Sequence, residues 1–167
     1  MQCQSPLQRS VNKDQHVGLI HDLKLQKQLP KMTSDSITSY STEIRVRYSE
    51  TDAMGLLHHS NYLTYFEIGR TELFRAQGGN YRRMEELGLY FVVASINVRF
   101  KKPARYDDVL LIDTEISRQT PAKLEHRYQL RRGDELLAEA ESVIACVNGH
   151  GEVQRIPDDL LEKTQVE

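Results

Sequence analysis

A change of period near residue 91 constrains the fold of this chain more than any other feature. Upstream, Tyr62, Tyr65, Phe66, Gly69, Leu73 and Ala76 recur at steps of three and four as far as Gln77, the spacing of one buried helix face. Downstream, Val92, Ala94, Ile96, Val98 and Phe100 alternate with their neighbours and are expected to share one strand face, and Leu110, Ile112, Thr114 and Ile116 repeat the pattern. Ser60 or Asn61 is expected to cap the helix, and Gly78-Gly79 to release it. A shorter helix is predicted over residues 81–87, capped by Asn80 and ended by Gly88.

Ahead of the long helix, residues 42–48 set Ile44, Val46 and Tyr48 against Glu43, Arg45 and Arg47, which predicts a half-buried first strand. Residues 101–108, with Pro103 and the adjacent acids Asp107 and Asp108, read as a turn or edge excursion. Leu124, His126, Tyr128 and Leu130 then alternate with charged residues, and Gly133-Asp134 separates that run from residues 136–147, predicting a hairpin. Asn148-Gly149-His150-Gly151 should turn the chain into a closing piece, with Pro157 and Asp158 leading a short terminal helix. One long helix followed by consecutive antiparallel strands is an α+β arrangement, the helix lying across a concave sheet face.

A chain of 167 residues accommodates one sizeable domain. Residues 1–40, rich in Gln, Ser, Lys and Asp, are expected to be a flexible extension, or an over-long reading whose true start is Met32, and residues 41–167 the folded domain. A formal charge of −2 argues against a protein whose task is to clamp nucleic acid. Two cysteines, Cys3 and Cys146, support neither a disulfide framework nor a cysteine zinc site. With no apolar run near the roughly 18 to 20 residues of a membrane span, and no signal-peptide core, a cytoplasmic protein is expected.

Polar chemistry concentrates where the chain reads Tyr48-Ser49-Glu50-Thr51-Asp52-Ala53-Met54-Gly55-Leu56-Leu57-His58-His59-Ser60-Asn61-Tyr62 and runs into the long helix. A carboxylate beside exposed amides at a helix amino end suits acyl transfer, with a base or nucleophile on one side and oxyanion donors on the other. The plainer reading of Asp52 is a turn residue or cap. Asp52, His58 and His59 match no helical His-x-x-x-His pair and have no cysteine nearby, so neither a metal nor another cofactor is expected.

Thr51-Asp52-x-x-Gly55 alone is a weak string. Preceded by Tyr48 and followed by His59-x-x-Tyr62 and Tyr65-Phe66-Glu67-x-x-Arg70-Thr71-Glu72, it resembles the hotdog-fold acyl-CoA thioesterases, specifically the 4-hydroxybenzoyl-CoA thioesterase group and its YbgC-like branch, over residues 42–161. The resemblance implies an antiparallel sheet wrapped around one central helix and hydrolysis of an acyl-CoA to a free acid and coenzyme A. It makes Asp52 the base or nucleophile, the amide at His59 the oxyanion donor, and Tyr48 a partner of the carboxylate or substrate. Gly55, Asn61 and Tyr62 fall at substrate positions, with Tyr65 and Phe66 expected in the acyl pocket. His58 departs from the Tyr or Phe common at its position and is left as pocket lining. Glu67 and Arg70 are expected to form a buried or interfacial ion pair. Coenzyme A phosphates need a basic rim, for which Lys101, Lys102 and Arg105 are the local candidates, with Arg99 behind them. A homodimer or homotetramer joined sheet edge to sheet edge is also implied. A hotdog hydratase or dehydratase and a noncatalytic acyl-CoA-binding protein are the rival readings.

Overall fold

The computed structural model describes residues 37–157. The elements are β1 (Ser39–Arg45), a 3₁₀ turn (Tyr48–Glu50), α1 (His59–Ala76), α2 (Tyr81–Glu86), β2 (Leu89–Phe100), β3 (Val109–Gln119), β4 (Lys123–Arg132) and β5 (Glu135–Asn148). The strands form one antiparallel sheet in the order β1-β3-β4-β5-β2, which leaves β1 and β2 as edges. The expected extension falls almost wholly, and the terminal helix beyond Pro157 entirely, outside the described residues. Among the described residues no helix is long and apolar enough to cross a membrane.

The predicted faces of β3 and β4 hold. Leu110, Ile112 and Thr114 of β3 and Leu124, His126, Tyr128 and Leu130 of β4 are all buried, and Tyr65 and Phe66 of α1 close over the same core. Helix and sheet approach closely at Gly69, where an added Cβ would stand 2.4 Å from Thr114 Oγ1 and 3.0 Å from Ile112 Cγ2. Only the missing side chain lets the helix backbone seat there. A second apolar cluster gathers Phe74, Met84, Leu124, Ile144, Cys146 and Ile156.

Two strand expectations need correction. In β2 the pairing with β5 shifts between Val93 and Ser95, so Ala94 is the extra residue of a bulge. Before it Phe91 meets Phe74 edge-on at 5.7 Å; after it Val98 joins the core and Phe100 meets Tyr62 at 4.9 Å. The inward set changes from odd to even numbers, and Val92 does not share a face with Val98, because one inserted residue reverses the alternation. The first strand stops at Arg45 rather than at Tyr48. There the Arg47 amide donates to Glu50 Oε2 at 2.7 Å and the Thr51 amide to the Tyr48 carbonyl at 3.3 Å, and this local turn displaces the ladder.

Residues 101–108 do more than turn: they carry the chain from edge strand β2 to β3, three places across the sheet. Arg132 holds this crossover through Asp108 at 2.7 Å and also pairs with Glu135, which takes Lys102 at 2.6 Å. The hairpin expected at Gly133-Asp134 is present, with Arg132 opposite Glu135 and Gly133 at φ +56°.

Candidate active site

Backbone pairing puts Asp52 on the outgoing limb of a small hairpin whose return limb runs into α1 at His59. The Asp52 amide donates to the Leu56 carbonyl at 2.8 Å, Thr51 bridges Leu57, and the His58 amide donates to the Glu50 carbonyl at 2.9 Å. Residues 50–58 are therefore a small hairpin that delivers the chain to the first residue of α1. Its tip needs Gly55, which sits at φ +71° while its amide returns to the Asp52 carbonyl at 2.9 Å. The returning limb is seated on the crossover by Leu57 N–H to the Ala104 carbonyl at 2.8 Å and a bridge between Leu56 and Arg105.

Asp52 divides its carboxylate between two jobs. Oδ1 accepts from the amides of Met54 at 2.8 Å and Leu56 at 3.1 Å, so the plain turn-building role is real. Oδ2 has no hydrogen-bond partner among the described residues, and the side chain lies on the exposed surface of the protomer. At the helix end His58, not Ser60 or Asn61, is the cap: its backbone is extended (φ −62°, ψ 136°), and Nδ1 accepts from the Ser60 amide at 3.4 Å and lies 2.8 Å from Ser60 Oγ. Histidine takes a position normally given to Ser, Thr, Asp or Asn because its Nδ1 can reach the same amide. The His59 amide finds no acceptor among the described residues, as the first N–H groups of a helix commonly do not. The His59 ring is exposed and lies 4.2 Å from that of His58, centroid to centroid.

Several candidates stand elsewhere than the sequence suggested. Tyr48 makes no hydrogen bond to Asp52; it is 79% exposed and meets Tyr106 edge-on at 5.6 Å. Tyr62, Tyr65 and Phe66 are turned into the core of the protomer by the helix stripe, and Tyr62 accepts from the Ala104 amide at 3.4 Å. Asn61 is half-buried and donates through Nδ2 to the Glu50 carbonyl at 2.7 Å. Of the three basic candidates, Lys101 pairs with Glu139 at 3.2 Å and Lys102 with Glu135, whereas the exposed Arg105 guanidinium has no partner among the described residues.

Glu50 was not singled out by the sequence, yet it holds the hairpin to the core. Its Oε2 accepts from the Arg47 amide at 2.7 Å and from the hydroxyl of the fully buried Tyr65 at 2.6 Å. Burial, then the bond to Glu50, raises the Tyr65 pKa well above the ordinary phenol value. The signal that could have found it is the tyrosine at 65, a hydroxyl on a core stripe that needs a polar partner.

Farther along α1, Arg70 is buried; it donates to Tyr81 Oη at 3.0 Å and meets Glu67 at 3.6 Å, although Glu67 is mostly exposed. Beneath it lies His126, 5% exposed, with an unpartnered Nδ1. Burial and then the Arg70 charge push its pKa down to about 4. Tyr128 shares a hydrogen bond with Ser142 at 2.8 Å, and burial pushes its pKa up to about 12.

An antiparallel sheet embracing one long helix, with a carboxylate loop entering that helix, defines a hotdog-fold protein of α+β class. The thioesterase-like superfamily model matches residues 46–164, and the chain belongs to that family. The chain is a thioester hydrolase. Among its relatives, the acyl-CoA thioesterase YbgC of Haemophilus influenzae is 34% identical over 65% of this chain and 81% of its own. A probable thioesterase from Bartonella henselae superposes with a TM-score of 0.69 at 33% identity, covering 71% of this chain and 99% of that one. The DHNA-CoA thioesterase of Staphylococcus aureus does so with a TM-score of 0.68 at 28% identity, covering 70% and 80%.

Proposed function

We propose that this chain hydrolyses an acyl-CoA thioester to the free acid and coenzyme A, with Asp52 as general base or nucleophile and the His59 amide as oxyanion donor. The observation that supports the reading is that one short hairpin carries Asp52, whose Oδ2 has no partner among the described residues, and leads into the helix amide of His59, which has no acceptor among them. Water, or Asp52 itself in a first step, bonds to the acyl carbon while the carbonyl oxygen gathers negative charge against the amide. The carbon–sulfur bond then breaks and the thiolate leaves, taking up a proton to become coenzyme A. If Asp52 attacks first, water hydrolyses the resulting anhydride. The unpaired Arg105 guanidinium, bridged through its backbone to the same hairpin, is the cation best suited to a coenzyme A phosphate.

The wall missing beside Asp52 comes from a second copy, in a homodimer or homotetramer. Edge strand β2 is 12 residues long and leaves Val93 50% and Phe100 53% exposed, an apolar edge that a lone protomer would leave open to aggregation. A scattering mass equal to one protomer would sink this part of the reading. For the chemistry, Asp52→Asn is the informative change, because its side-chain oxygen can still accept from Met54 and Leu56 while the charge is lost. In a thiol-release assay over short, long and aromatic acyl-CoAs, kcat on the best substrate should fall at least about 100-fold. Unchanged turnover would remove Asp52 from the mechanism.

A further inference from the structure

We propose that Glu50 is a positioning residue for the reaction, holding the hairpin that carries Asp52 and the opening of α1 in register through its bond to the buried Tyr65 hydroxyl. This rests on the function proposed above. Glu50 sits where three segments meet. Its carboxylate takes the Arg47 amide and Tyr65 Oη on one oxygen, and its carbonyl takes the His58 amide at 2.9 Å and Asn61 Nδ2 at 2.7 Å. The four donors belong to the 3₁₀ turn's entry, the core face of α1, the helix cap and the helix's first turn.

The direction of control follows from burial. Tyr65 is 0% exposed and packed among Val46, Leu57 and Leu110, so it is the fixed end; the hairpin tip, with Asp52 and Met54 exposed, is the end being held. The contact also places an ionisable acceptor against a buried hydroxyl whose loss would leave a polar group stranded. Glu50 reaches the reacting atoms only through its neighbours. Its loss should shift the geometry of Asp52 relative to the His59 amide, an error to which acyl transfer is sensitive.

The test compares Glu50→Ala, Glu50→Gln, Tyr65→Phe and the Glu50→Ala/Tyr65→Phe double variant by steady-state kinetics on one acyl-CoA, with thermal unfolding recorded for each. Glu50→Ala and Tyr65→Phe should each lower kcat about 10- to 100-fold with KM changed less than about threefold. Glu50→Gln, whose amide oxygen can still accept from Tyr65 and Arg47, should recover most of that turnover. The double variant should be no worse than Glu50→Ala alone, because both changes cut one connection. A kcat for Tyr65→Phe equal to the parent, or losses that multiply in the double variant, would overturn the proposal; Tyr65→Phe keeps the core volume and so decides the matter if Glu50→Ala fails to fold. Asp52→Asn run alongside separates the two readings: an inactive Asp52→Asn with a fully active Tyr65→Phe sinks only the role of Glu50, whereas a fully active Asp52→Asn sinks the parent mechanism.

Discussion

The two ends of α1 treat polar groups in opposite ways. At the amino end the His59 amide and Asp52 Oδ2 have no partner among the described residues and lie on open surface. Over the second half, Arg70, His126, Thr114 and Ser142 are buried, and the helix backbone is drawn so close to the sheet that position 69 has no room for a Cβ. Under the proposed mechanism one helix separates chemistry from stability along its length: the groups proposed to meet a substrate stay at the end where water can reach them. Groups that fix the helix are sealed under it.

Three measurements press on that division. The largest effect should be the loss of turnover in Asp52→Asn, at least about 100-fold, with an unfolding midpoint close to that of the parent because the turn keeps its acceptor. A large drop in midpoint would instead make position 52 part of the scaffold. Next comes Gly69→Ala, which forces a methyl against Thr114 Oγ1 and should destabilise by about 1–3 kcal/mol in urea unfolding while folded enzyme keeps its kcat. Adding Thr114→Ala should return part of the loss; no recovery would show that the contact is not the cause.

A third effect, absent at neutral pH and growing only as pH falls, lies in the pH dependence of stability. With a folded pKa of about 4 against the ordinary imidazole value of 6.5, His126 binds its proton in the unfolded chain before it does so in the folded one. Its contribution is fully present above pH 6.5 and is lost as pH falls through the window down to about 4, on the order of 3 kcal/mol in all. In His126→Gln the slope of stability against pH over that window should flatten. An unchanged slope would assign the dependence to other groups.

Much of the scaffold was legible because period reports facing. The steps of three and four in α1 and the alternation in β3 and β4 name residues that are buried. The bulge at Ala94 was not legible, since an inserted residue is defined only by the register of the partner strand β5. Nor was His58 as cap, which depends on a ring nitrogen reaching the Ser60 amide. In the candidate site, Asp52, Gly55 and His59 stood out through the motif that carries the family resemblance, while Glu50 did not, because its significance comes from Tyr65, 15 positions away. The helix stripe itself placed Tyr62 on the core face, where it is buried.

By itself the sequence determined the order of elements, the core faces of α1, β3 and β4, and membership of a thioester-hydrolase family, since these follow from local periodicity and short-range motif. Only the tertiary structure decided which of the basic candidates are paired and what anchors the hairpin. Those outcomes depend on hydrogen bonds and ion pairs between residues distant in the chain, and such partners exist only once the crossover and helix have closed on the sheet.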